Sequence, residues 1–283
     1  MQPTAHPLTT PEKTALLDRI LTDRTYDIHK ETIEALAKDD DAAVREQALE
    51  TFWKLVDPDF IDLDAHLITL DPGFLDTLLD IADADPAPEV RIEATRALGR
   101  YVYEGFRMEN LSEDDYKKVK EFLLNLFNDH SGTVDSRRTA LEALGYITDP
   151  DVEALIREAH ASPDRKMRIS ALFAMGRSGM DRAWEDILVK EIHSHDPEIR
   201  FEAVRSAGET YSTGAAEALE RLTGDPDRRT RIEAIRALGN AGRPDSRLLL
   251  RTMLSSSDED VRDAASEALN ALDYFQCEPF TDE

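Results

Sequence analysis

The amino-acid sequence predicts an all-α chain, an α-solenoid in which about seven helical hairpins form a superhelix. Three observations carry this. A nine-residue pattern recurs along the chain, its recurrences settle to a fixed spacing, and its apolar positions fall at helical intervals.

The pattern is Arg-x-x-Ala-x-x-small-Leu-Gly. Its clearest copies are Arg91–Gly99, Arg137–Gly145 and Arg231–Gly239, with altered copies beginning at Arg45, Arg168, Arg200 and Arg262. Counting from the arginine, register +3 is alanine in every copy: Ala48, Ala94, Ala140, Ala171, Ala203, Ala234 and Ala265. Register +6 is alanine, serine or threonine throughout. Register −6 is aspartate or serine: Asp39, Asp85, Ser131, Ser162, Ser194, Asp225 and Ser256. Successive arginines lie 46, 46, 31, 32, 31 and 31 residues apart. The unit is therefore about 31 residues, and the two longer intervals predict insertions near 56–71 and 100–113.

Each copy reads as the second helix of a hairpin. Small residues at +3 and +6 admit a close neighbour, and glycine at +8 suits a helix end or a tight contact. The first helices are the amphipathic runs before each copy, such as Asp151–His160, Arg182–His193, Ala215–Leu222 and Ser246–Leu254. Residues 1–24 are expected to hold a capping helix that starts at Pro11, and 26–38 the first helix of the repeat containing Arg45. Residues 25–130 then hold two longer, irregular repeats, 131–272 the regular ones, and 273–283 a tail. The expectation is a single solenoid over 1–283.

The motif Asp-Pro-x-x-x-x-Arg-x-x-Ala-x-x-Ala-Leu-Gly in a 31-residue hairpin resembles a HEAT repeat, in the short form found in phycobilisome-lyase-type proteins. The resemblance covers roughly residues 25–272. It implies that the second helices line a concave surface, and that turn aspartates and repeat arginines form a ladder between repeats. Arg45, Arg91, Arg137, Arg168, Arg200, Arg231 and Arg262 would then be structural, with ligand contact as the alternative. The resemblance also implies an alternative function, that of a phycobilin-lyase-like maturation or assembly factor. Deoxyhypusine hydroxylases resemble this repeat too, and bind iron through His-Glu pairs on the repeat helices. Here the equivalent pairs are Ile92-Glu93, Arg138-Thr139, Ile169-Ser170, Phe201-Glu202 and Ile232-Glu233, without histidine, so that activity is not expected.

Composition narrows the function further. The net charge is −25, from 59 acidic and 34 basic residues, which opposes binding to nucleic acid through its phosphates. No apolar run is long enough to span a membrane, and no secretory signal is legible, so a cytoplasmic protein is expected. Cys277 is the only cysteine, which excludes an internal disulfide. The acidic stretch from Asp57 fails the calcium-loop spacing, with Ile61, Asp62 and Ile68 at the fifth, sixth and twelfth places. His193, His195 and Asp196 fall at a turn, where polar residues are ordinary. No metal site, cofactor or catalytic group is expected.

What remains is a non-catalytic scaffold or adaptor that binds a peptide or helical segment of another protein. Registers +1, +2 and +5 are expected to escape the core, which places Ile92, Arg96, Ile169, Phe173, Phe201, Arg205, Ile232 and Arg236 on a candidate partner-binding face. Two plainer outcomes compete. The +1 residues can pack on the next repeat, and Glu93, Glu202 and Glu233 can neutralise the arginines three residues on. Tyr101, Tyr103 and Phe106 form either a contact loop or a helical extension with local packing.

Overall fold

The computed structural model of the protein describes residues 8–24, 26–56, 70–106, 110–178 and 182–277. These hold fifteen α-helices and no strand, so the fold class is all-α. The chain divides into two compact units, Met1–Leu144 and Gly145–Glu283.

In the first unit, α1 (Thr10–Asp23) precedes three hairpins. These are α2 (Tyr26–Leu36) with α3 (Ala42–Val56), α4 (Pro72–Ala84) with α5 (Pro88–Phe106), and α6 (Glu113–Asn128) with α7 (Val134–Leu144). The second unit holds four: α8 (Pro150–His160) with α9 (Arg165–Arg177), α10 (Glu185–Glu191) with α11 (Pro197–Glu209), α12 (Ala216–Leu222) with α13 (Arg228–Ala241), and α14 (Ser246–Met253) with α15 (Glu259–Cys277). Single 3₁₀ turns, Arg182–Trp184 and Thr213–Ala215, lead into α10 and α12. Every repeat arginine lies on a second helix.

Second helices pack directly on one another. In the first unit α3 meets α5 and α5 meets α7; in the second α9 meets α11, α11 meets α13 and α13 meets α15. This is the stacking of an α-solenoid. The register explains how they come so close. The +8 glycine of one second helix faces the +6 small residue of the next: Gly99 faces Ala143, Gly208 faces Ala237, and Gly239 faces Ala268. A Cβ on Gly239 would stand 2.9 Å from the Ala268 Cα, so the helix backbones themselves are in contact.

The turn inside each hairpin is built from three registers. The −6 aspartate or serine side chain accepts the backbone N–H two residues on. This holds for Asp39, Asp85, Ser162, Ser194, Asp225 and Ser256, at 2.8–3.3 Å. At −4, the side chains of Asp41, Thr133, Asp164, Asp196, Asp227 and Asp258 accept N–H groups at the start of the second helix. Those donors have no partner within the helix, so each cap is worth about 1 kcal/mol. The repeat arginine then reaches back to the −6 carbonyl, as set out below.

The first insertion falls largely on residues 57–69, outside the described residues. In the second, residues 100–106 are helical, since α5 continues past Gly99 to Phe106, and 107–109 lie outside the described residues. Tyr101 is fully buried and its hydroxyl donates to the Asp71 carbonyl at 2.8 Å. Phe106 stacks on Tyr116, with ring centroids 6.4 Å apart. The helical extension, and not the contact loop, is what forms. At the amino end α1 lies against α3, with Leu17 and Ile20 buried. At the other end α15 runs to Cys277, and residues 278–283 fall outside the described residues.

The glycine contacts make a prediction in which two effects oppose. Alanine in place of a helical glycine gains up to about 1 kcal/mol of propensity, whereas overpacking costs about 1–3 kcal/mol. Backbone cannot yield as a side-chain tip can, so Gly239→Ala is expected to destabilise the full chain by a net of about 1 kcal/mol, read as a lower urea midpoint.

Candidate functional site

The repeat arginines come first because they decide which cations are already engaged. Five of the seven donate through Nη1 to their own −6 carbonyl: Arg45 to Asp39, Arg91 to Asp85, Arg200 to Ser194, Arg231 to Asp225 and Arg262 to Ser256, at 2.6–2.9 Å. Arg137 instead donates from Nε to the Phe127 carbonyl at 2.7 Å, and the Arg168 Nε is buried without a hydrogen-bond partner.

A ladder between repeats forms wherever the next turn supplies a carboxylate. Arg45 forks onto Asp85 at 2.8 and 2.9 Å, and Arg200 onto Asp225 at 3.0 and 3.3 Å. Burial by itself would raise the Asp85 carboxyl; the Arg45 fork and the Ala87 N–H outweigh it and hold the group below its ordinary value. Lys13, on α1, reaches Asp39 at 2.5 Å, giving that turn a cation from outside the repeat arginines. At the turns of Ser194 and Ser256, where the −6 residue is serine, a second arginine takes over from register −3 of the preceding copy. Arg165 forks onto the cap Asp196 at 2.5 and 2.7 Å, and Arg228 reaches the cap Asp258 at 3.1 Å.

The candidate face is laid out differently from its expectation. Ile232 is buried, at 8% exposure, and does not escape the core. Ile92, Ile169, Phe173 and Phe201 are half-buried, and among the registers +2 positions Ser170 and Glu202 are buried. The reason is the backbone contact between second helices, which draws registers +1 and +2 into the seam. Arg96 pairs with Glu93 at 2.5 Å and Arg205 with Glu202 at 2.5 Å, as the helical spacing allows; Arg236 is exposed and reaches across to Glu267 at 3.2 Å.

Along the second helices of the second unit, half-buried rings are covered by guanidinium groups. Phe173 lies between Arg177 and Arg205, each 4.6 Å from its centroid, and Phe201 lies under Arg229 at 4.1 Å. Arg229 also reaches Glu198 at 3.4 Å. A shallow pocket of about 360 Å³ opens beside Phe201, with Arg229, Ile232, Glu233 and Arg236 in its lining. Burial pushes the Glu233 carboxyl above its ordinary value, against the opposing pull of Arg236 and Arg205. In the first unit Arg96 lies over Trp53 at 5.2 Å, and the Trp53 indole donates to Glu93 at 2.7 Å. Arg177, Arg229 and Trp53 escaped the sequence reading. The four-residue step from Phe173 to Arg177 and the 31-residue step from Glu198 to Arg229 were the signals for two of them.

Residues 152–227 and 217–276 match the family model for HEAT repeats. Residues 152–276 hold HEAT repeats. Among solved structures, it is similar to the complex of CpcE and CpcF of phycocyanin lyase from Nostoc sp., at 17% identity and a TM-score of 0.56, over 96% of this chain and 97% of that one. Human deoxyhypusine hydroxylase aligns at 19% identity and a TM-score of 0.40, over 95% of this chain and 100% of that one. A designed armadillo repeat protein aligns at 17% and 0.42, over 70% and 99%. No curated protein matches the sequence. At such identities the likeness concerns the fold. Among the described residues, no group of three or more histidine, cysteine or acidic side chains could hold a metal ion, and no helix is long and apolar enough to cross a membrane.

Two predictions follow from the HEAT turns. Arg200→Ala strands the buried Asp225 carboxylate, so it should cost about 3 kcal/mol; Arg231→Ala loses one bond to a carbonyl and should cost roughly 1.5 kcal/mol. Equal shifts in urea midpoint would contradict the ladder. The Asp196 carboxyl is held down to about 2, chiefly by the Arg165 fork and also by two α11 N–H groups, against burial. A depressed carboxyl contributes stability that is complete above about pH 4 and is lost as pH falls toward 2. Half-exposed Arg165 keeps the energy small. Asp196→Asn should flatten that part of the stability curve, measured by thermal melts from pH 5 to 2.

Proposed function

We propose that this protein is a non-catalytic scaffold or adaptor, and that the second-helix face of the unit Gly145–Glu283 binds a peptide or helical segment of a partner protein. The observation that supports this reading is the row of arginine-covered rings at Phe173 and Phe201. Arginine and large aromatics are the side chains that carry most binding energy at protein interfaces. Here they stand half-buried on stacked helices, held in place by Glu202, Glu209 and Glu198. Such a platform is rigid before a partner arrives, which lowers the entropy lost on binding. A partner segment would lay apolar side chains on the rings and place its acidic or carbonyl groups against the guanidinium edges.

A maturation factor of the phycobilin-lyase kind is the second reading, and it rests on fold likeness. Protein purified from its native host separates the two. The adaptor reading expects no tetrapyrrole absorbance and a co-purifying protein.

The decisive variant must spare the core. Ile232 is buried, so the test falls on the half-buried rings: Phe173→Ser with Phe201→Ser. Capture of the co-purifying protein should drop by at least tenfold while far-ultraviolet circular dichroism stays that of the parent chain. Undiminished capture by the folded double variant would sink the proposal.

A further inference from the structure

Inside each unit, neighbouring hairpins are tied at their turns by an ion pair, with one exception. Arg45 holds Asp85, Arg165 holds Asp196, Arg200 holds Asp225 and Arg228 holds Asp258. Between the hairpin of Arg91 and that of Arg137 no such pair joins the turns among the described residues; there Lys118 and Asp76 pair between the first helices instead. The −6 acceptor is Ser131 and the −4 cap is Thr133, so the next turn offers no carboxylate at either register. Register −3 is Pro88, so no second arginine is available either. Arg91 donates to the Asp85 carbonyl at 2.6 Å and makes no contact ion pair among the described residues, although its charge helps to lower the Asp85 carboxyl that Arg45 holds. The Ser131 hydroxyl is already committed to Asp129, at 2.6 Å.

At this junction the structure opens a cavity of about 630 Å³, and Arg91 is part of its lining. Ala82, Ile92, Phe122 and Leu126 give it apolar walls, and Ser131 and Thr133 lie at its polar end. The carboxylates of Asp83 and Asp129 also border it, both exposed; Asp129 is satisfied by the Ser131 N–H and hydroxyl. The charges along the turns of this unit alternate from Lys13 through Asp39, Arg45 and Asp85, and end on Arg91 beside the cavity.

We propose that this cavity is a docking site for a protein segment carrying an aspartate, whose carboxylate takes on Arg91 the place that Asp85 takes on Arg45. The segment's apolar neighbour would fill the space between Ile92, Phe122 and Leu126. The chemistry of the occupant is read from the register itself, since aspartate in an Asp-Pro turn is what the equivalent arginines hold at Asp85-Pro86 and Asp225-Pro226. An arginine fork matches a carboxylate in two parallel bonds, which a neutral amide cannot reproduce. This site lies in the other unit from Phe173 and Phe201, so the two can fail separately.

The test uses the full chain and two capped peptides, acetyl-Leu-Asp-Pro-Ala amide and its asparagine counterpart, followed by NMR at the Arg91 Nε–H and the Ile92 and Leu126 methyls. The aspartate peptide should shift these signals saturably and bind at least tenfold more tightly than the asparagine one. Ser131→Asp supplies the missing ladder carboxylate from within, so it should abolish binding while raising the melting temperature; Arg91→Ala should abolish binding as well. Equal affinity of the two peptides, or binding that persists in folded Ser131→Asp, would overturn the proposal. So would acetate alone competing as well as the aspartate peptide, because that describes a small-anion site.

Discussion

The closing of the hairpin turn is the constraint on which the rest of this structure rests. Two helices that reverse direction leave N–H groups at the start of the second one unpaired, and buried orphans of that kind are costly. Here three side chains settle the account within seven residues. The −6 oxygen takes one N–H, the −4 oxygen caps the helix, and the arginine at zero ties the turn carbonyl to the helix that follows. With the turn fixed, each second helix leaves at a set angle, and its small residues at +6 and +8 present flat backbone to the next. Stacking is a consequence of the turn.

The same turn explains why register −6 tolerates both aspartate and serine. One oxygen suffices to accept the N–H two residues on, and both residues have it. A carboxylate has a second oxygen, and at Asp85 and Asp225 that Oδ2 accepts from the Nε of the preceding repeat's arginine. Serine at Ser194 and Ser256 forgoes this, and Arg165 and Arg228 restore the tie one turn-position away. The ladder is thus a choice between two equivalent pairings, and at Ser131 neither is taken.

Outward from the seam, charge and aromatic character are combined in a way that net charge conceals. A chain of −25 still carries its arginines over rings at Phe173 and Phe201. Guanidinium groups are weakly hydrated, so they can rest over apolar rings at a smaller desolvation cost than an ammonium group. Their carboxylate partners hold them in position. Repeat architecture multiplies such a motif at no new cost, because each hairpin brings the same registers to the same side.

Much of this was legible in the residues alone. The seven arginines, the alanines at +3 and the 31-residue interval specify helical hairpins, because period and small-residue placement are local properties of the chain. The pairing of Arg96 with Glu93 and of Arg205 with Glu202 is equally local, set by three residues on one helix. Tertiary structure decided what depends on how close the second helices come. It buried Ile232, turned Arg236 away from Glu233 toward Glu267, drew Tyr101 inward on a lengthened α5, and left a cavity beside Arg91. Each of these is settled by the distance between backbones from different repeats, and a repeat pattern states which residues face a neighbour without stating how near that neighbour lies.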